Sequence, residues 1–159
     1  MNRNEKIKNL SMNAMIAAVY VAMTFMIQPL AYREIQFRLS EVIVLLAFYN
    51  KKLIPGLIVG CMIANIPSPL GIIDVVIGTF STVCVCYAMN KSNNIYIAAL
   101  LGSIITGMII GIELSLVYSI PFVINALYVF IGEVVVLFIG TFVFKRLEKN
   151  IKFMEYIRY

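Results

Sequence analysis

Four carboxylic acids and two amides interrupt the apolar runs of this chain: Glu41, Asp74, Glu113 and Glu133, with Asn65 and Asn125. Carboxylates accept hydrogen bonds, and one of them can meet a planar N–H/NH2 edge in bidentate fashion or neutralise a cation. The stretch "IQFRLSEVIVLL" (35–46) adds Arg38 three residues before Glu41, close enough for an ordinary pair one helical turn apart. Ordinary readings exist for others too: Asp74 in a first helical turn would meet the macrodipole, and Asn65 could bond between helices. Other chemistry is not evident. There is no histidine, and Cys61, Cys84 and Cys86 lie in apolar runs, so neither a metal centre nor a disulfide framework is implied. "GSIITG" (102–107) resembles the start of a phosphate loop but is followed by Met108 and Ile109, which leaves this chain no means of hydrolysing ATP. No nucleophile or acid–base constellation stands out, so an enzyme is the poorest reading, and no cofactor is implied.

The elements that carry these residues are set by composition. Of 159 residues, 62% are hydrophobic and 13% charged, and mean hydropathy is +0.94. A soluble domain has about 45–50% apolar and about 25% charged residues, so this is an all-α integral membrane protein. A spanning helix needs roughly 20 apolar residues. The pattern gives six: 12–30, a short 39–50, 53–67, 72–89, 95–116 and 122–144. Pro67, Pro69 and Gly71 in "IPSPLG" (66–71) divide the long apolar stretch 53–89 into two. The first run is as long as a span and no small-residue cleavage site follows it, so it is expected to remain. Residues 1–145 form one membrane-embedded domain, and 146–159 a basic amphipathic tail suited to a membrane surface. Six spans with both termini cytoplasmic place eleven of the thirteen Lys and Arg residues inside, leaving only Arg33 and Arg38 outside. The net charge of +5 then reflects the inner surface rather than a nucleic-acid partner.

This topology puts every embedded acid in the outer half of the membrane or at its middle. Ionisable groups inside a bilayer are expensive unless paired or facing a wet cavity, and several at similar depth predict a pocket that opens outward. Asn125 and Glu133 are eight residues apart, about 80° around a helix, and can share a broad face. Thr106 and Glu113, seven apart, are nearly eclipsed. An acid-rich pocket favours a cationic or donor-rich small molecule. Tyr32, Phe37, Tyr118, Phe122 and Tyr128 could stack on a flat ring or form an interfacial belt. On the first helix Ala14, Ala18 and Ala22 make a small-residue stripe that would let another helix approach closely. No repeat of matched broken helices is visible, so active transport would draw its energy from another subunit.

The segments "QFRLSE", "GLIVGCMIAN", "DVVIGTFST" and "NALYVFIGE" occur in an order that resembles the queuosine-precursor transporter family, QueT, over about residues 12–145. The resemblance implies a substrate-binding S-component of an energy-coupling factor (ECF) transporter. It implies the six-helix S-component fold in a multi-pass cell-membrane protein. It implies docking through Ala14, Ala18 and Ala22 onto a transmembrane coupling subunit that sits on two ATPase subunits. The implied substrates are 7-deazaguanines such as 7-aminomethyl-7-deazaguanine, its nitrile precursor or queuine. Glu113, Asn125 and Glu133 are then the expected base contacts under a loop 31–38, with Tyr128, Arg38, Gln36, Glu41, Asp74 and Asn65 behind them. An S-component for another vitamin-like solute, or a stand-alone channel or facilitator, are the competing readings.

Overall fold

The computed structural model describes residues 3–26 and 38–158. Regular structure among them is helical: α1 (Arg3–Met26), α2 (Glu41–Val44), α3 (Leu46–Tyr49), a 3-10 turn (Lys51–Leu53), α4 (Ile54–Ala64), α5 (Ile72–Lys91), α6 (Ile95–Tyr118), α7 (Phe122–Leu147) and α8 (Ile151–Arg158). Four of these, α1, α5, α6 and α7, are long and apolar enough to cross a membrane. They overlap the expected runs 12–30, 72–89, 95–116 and 122–144; α1 begins earlier, at Arg3, and residues 27–30 lie outside the described residues.

The runs expected at 39–50 and 53–67 are instead short helices. Polar residues bracket the first: Arg38 and Ser40 before it, Asn50, Lys51 and Lys52 after it. Some 12 residues at 1.5 Å each reach about 18 Å, against a hydrocarbon core of about 30 Å. The path also breaks at Leu45, where the Phe48 amide bonds back to the Leu45 carbonyl (3.1 Å) in a tighter turn. Ser40, Val44, Leu45 and Ala47 are fully buried, so this segment is wrapped by neighbouring helices and need not match lipid thickness. The second, α4, stops at Ala64, and the chain turns over residues 65–71. Gly71 closes that turn at φ +63°, a conformation that favours glycine.

Close approaches between backbones fix the packing. A Cβ placed on Gly56 would lie 2.6 Å from the Asn13 carbonyl oxygen, and one on Gly60 would lie 2.8 Å from Tyr20 Cβ. α4 therefore runs beside α1 in the same direction, pinned where the Gly56 amide donates to Asn13 Oδ1 (2.6 Å). α5 returns beside α4, and α6 and α7 follow as an antiparallel pair in which Gly111 lies against Ala126. α2 packs on α7 and α3 on α5, filling the middle of the bundle.

Two apolar cores result. The larger surrounds Leu45, Leu57, Cys86, Met89 and Leu137; the smaller joins Ile110, Leu114 and Val129. The basic tail folds back on the end of the bundle below the larger core. Asn50 donates to the Ile157 carbonyl (2.7 Å), Tyr49 donates to Glu148 (3.0 Å), and Lys8 stands 6.0 Å from the centre of the Tyr156 ring. The outer surfaces of the long helices carry exposed Ile104, Met108, Ile112, Ile131 and Ile139, as lipid contact requires.

Because a Cβ on Gly111 would stand 2.7 Å from Ala126 Cα, backbone must move to admit it. Gly111→Ala should cost about 1–3 kcal/mol of stability, read as a lowered thermal unfolding midpoint of the purified protein in detergent.

Candidate functional site

Polar side chains from six helices and the turn before α2 converge between the two cores. The turn supplies Arg38, whose Nη2 lies 3.2 and 3.3 Å from the two carboxylate oxygens of Asp74 in the first turn of α5. Both residues are buried. Asp74 is held in turn by Asn65, which donates from the end of α4 to the Asp74 carbonyl (3.1 Å). The pairing of Arg38 with Glu41 suggested by their spacing is not the arrangement found. Glu41, one turn along, accepts a 2.5 Å hydrogen bond from Tyr20 of α1. Two partners on long helices thus compete successfully with the local i,i+3 contact, because burial rewards the complementary charge that packing brings closest. Beside them Thr24 donates to Ser40 (2.8 Å), tying the end of α1 to the start of α2.

Thr82 of α5 donates to Cys61 Sγ (3.0 Å) and to the Gly78 carbonyl (3.1 Å), which joins α4 to α5 at the level of Glu41. A Cβ on Gly78 would run into the side-chain amide of Asn65, which would have to shift from its bond to the Asp74 carbonyl.

Within this cluster is a small cavity. Arg38 and Glu41 form one side, Gly78, Ser81 and Thr82 of α5 the second, Thr106 and Ile110 of α6 the third, and Val129 and Glu133 of α7 the fourth. The space between atoms there, part of it open to solvent, is about 320 Å³, and most of that lies in crevices too narrow for a water molecule. What remains is room for roughly one water. A bicyclic ligand requires the walls to part.

Three carboxylate oxygens in this region have no hydrogen-bond partner among the described residues: both of Glu113 and Oε1 of Glu133. Ser81 Oγ is likewise unpartnered. Glu113 and Glu133 are 1% and 2% exposed. Buried polar groups are nearly always satisfied, and a buried carboxylate without a donor is costly. Glu133 feels the charges of Glu41 and Arg38, and Glu113 those of Asp74 and Arg38. Glu133 at the cavity, and Glu113 farther along α6, each retain capacity to accept hydrogen bonds.

Arg38, Glu41 and Glu133 meet at the cavity, with Asp74 and Asn65 bracing Arg38 from behind. Glu113 is buried one turn beyond Ile110 on α6. Asn125 is buried at the start of α7, with a 3.4 Å contact from its amide to the Ile120 carbonyl. Tyr128 is not brought to the cluster: it lies on the outer surface of α7, exposed like Tyr118 and Phe122, where belt residues belong. Gln36 and the loop 31–37 lie outside the described residues. Sequence reasoning missed Tyr20, Ser81 and Thr82. A signal existed for the last two, since Asp74, Gly78, Ser81 and Thr82 recur at i, i+4, i+7 and i+8 along one face of α5. Tyr20 gave none beyond its position in an alanine-rich helix.

Breaking a buried ion pair by removing one partner leaves an uncompensated charge, at about 3–5 kcal/mol. Arg38→Gln and Asp74→Asn should each lower stability by that order, and the double variant by clearly less than the sum. Thermal unfolding of the four proteins in detergent measures the coupling.

The family model described as "QueT transporter" matches residues 10–149. A protein of Lactococcus lactis subsp. cremoris (strain MG1363), described as "Queuosine precursor transporter QueT", is 33% identical over 155 residues, covering 87% of this chain and 90% of that protein. No solved structure matches. With its long apolar helices, this is a multi-pass membrane protein. Matched along most of its length by both comparisons, the chain belongs to the QueT transporter family.

Proposed function

We propose that this chain is the S-component of an energy-coupling factor importer, capturing a queuosine precursor outside the cell. The substrate is a 7-deazaguanine such as 7-aminomethyl-7-deazaguanine or queuine. The observation that carries this reading is the pair of buried glutamates, Glu113 and Glu133: both carboxylate oxygens of the first and Oε1 of the second lack donors among the described residues. A guanine-like edge presents adjacent N–H and NH2 groups, which match a carboxylate in bidentate geometry. The name of the Lactococcus lactis relative points to the same substrate class.

Six membrane passes with both termini cytoplasmic complete the proposal, the short α2–α3 and α4 segments counting as two of them. The cationic ends near Lys8, Lys52, Lys91 and Lys145 are then cytoplasmic, in keeping with the positive-inside rule. The acids lie toward the opposite end, and the larger apolar core closes the path between. Residues 1–145 act as the membrane domain and 146–159 as its cytoplasmic tail. Glu113, Asn125 and Glu133 contact the base, with Arg38, Glu41, Asp74 and Asn65 holding the site in shape. The cavity opens to admit ligand and contracts again around it.

Energy comes from a separate coupling subunit with two ATPases. Ala14, Ala18 and Ala22 are all exposed on α1, while the glycines of α4 use a different face, around Asn13, Ala17 and Tyr20. That leaves the alanine stripe clear for an outside helix.

Titration calorimetry of the purified chain should show saturable binding of 7-aminomethyl-7-deazaguanine and none of riboflavin. Absence of binding by 7-aminomethyl-7-deazaguanine, its nitrile and queuine alike would overturn the substrate assignment. Ala18→Trp should abolish cellular uptake while the purified subunit keeps its ligand affinity within about twofold. Undiminished uptake would count against docking through this face and favour a stand-alone facilitator.

A further inference from the structure

The buried charges among the described residues are unbalanced. One cation, Arg38, stands among four carboxylic acids: Glu41, Asp74, Glu113 and Glu133. Arg38 is engaged by Asp74, and Glu41 takes the hydroxyl of Tyr20. Glu133 is different. It lines the cavity, is 2% exposed, and its Oε1 meets no donor among the described residues. Ser81 lines the same cavity, is 3% exposed, and its hydroxyl is likewise unpartnered. Two buried polar groups, one from α7 and one from α5, therefore face a common space that also holds Thr106.

An acceptor-rich wall of this kind distinguishes ligands by charge. A neutral group brought to Glu133 leaves a buried carboxylate without a counter-charge, whereas an ammonium supplies the charge and up to three donors at once. Serine and threonine hydroxyls beside the carboxylate accept the remaining ammonium protons. Arginine cannot swing across to neutralise Glu133 without abandoning Asp74, which would then be the uncompensated group.

We infer that Glu133, flanked by Ser81 and Thr106, is the counter-ion for a positively charged amine on the ligand, so that the site selects ammonium-bearing members of its substrate class over neutral ones. This rests on the deazaguanine reading and goes further. It divides 7-aminomethyl-7-deazaguanine and queuine, whose side chains carry a protonated amine, from the nitrile and from guanine, which are neutral. The ring edge remains for other acceptors of the site.

The test is a calorimetric comparison of 7-aminomethyl-7-deazaguanine with 7-cyano-7-deazaguanine, on the wild-type chain and on Glu133→Gln. The ammonium ligand should bind about tenfold or more tighter than the nitrile, as a charge-assisted pair requires. In E133Q that preference should collapse to near parity, chiefly through loss of affinity for the amine, with a thermal unfolding midpoint in detergent close to that of the wild type as proof of a folded protein. Equal or tighter binding of the nitrile by the wild type would overturn charge selection while leaving the deazaguanine reading intact. A preference that survives in E133Q would overturn the assignment to Glu133. Binding of neither compound by the wild type would remove the deazaguanine reading itself. Should E133Q not yield folded protein, Ser81→Ala takes its place. A reduced preference for the amine in S81A supports the inference, and an unchanged one overturns the role of this wall.

Discussion

The ion pair between Arg38 and Asp74 is the contact on which the interior depends. Two charges removed from water persist only where each finds its partner and the walls exclude competing groups. Here the partner for Arg38 comes from the first turn of α5, thirty-six residues along the chain. That contact draws the short α2–α3 segment inward and sets its level against α5. From that level follow the meeting of Glu41 with Tyr20 and of Ser40 with Thr24, and the presence of Glu41 and Glu133 in the lining of one cavity.

The division of the interior into two apolar cores gives the polar layer its meaning. Leu45, Met89 and Leu137, each fully buried, seal the bundle between the acids and the basic end. A ligand held by Glu133 would rest on this seal, so passage onward needs the helices to rearrange. A small cavity over a dry floor suits a subunit that binds and hands over better than an open conduit. The exposed alanine face of α1 lies on the same helix as Tyr20, which holds Glu41. Docking on one face of α1 and ligand on the other could thus bias a common element, and that is the physical route by which binding and docking would be coupled.

Much of this was legible in the sequence, for identifiable reasons. Long apolar runs bounded by charge marked α1, α5, α6 and α7, since a bilayer demands uninterrupted hydrophobic length. Proline and glycine at 67–71 marked the turn between α4 and α5. The embedded acids identified themselves by cost. What remained hidden was pairing. Spacing offered Arg38 to Glu41, but three-dimensional packing gave it to Asp74, a choice that no local pattern encodes. Residues 39–50 and 53–67 read as two further spans, the first of them short, but they form shorter helices, because apolar composition does not tell a lipid-facing span from a segment wrapped by other helices. Tyr128 stood among the aromatics able either to stack on a flat ring or to form an interfacial belt, and composition cannot choose between these; on α7 it faces outward.

The central claim is that the polar layer between the cores is a ligand site. The most direct measurement is an experimental structure of the chain with 7-aminomethyl-7-deazaguanine bound. The base should lie between α5 and α7 in an enlarged cavity, with a carboxylate oxygen of Glu113 or Glu133 within hydrogen-bonding distance of its donors and the Arg38–Asp74 pair intact. A base bound elsewhere on the protein, with both glutamates still lacking donors, would contradict it.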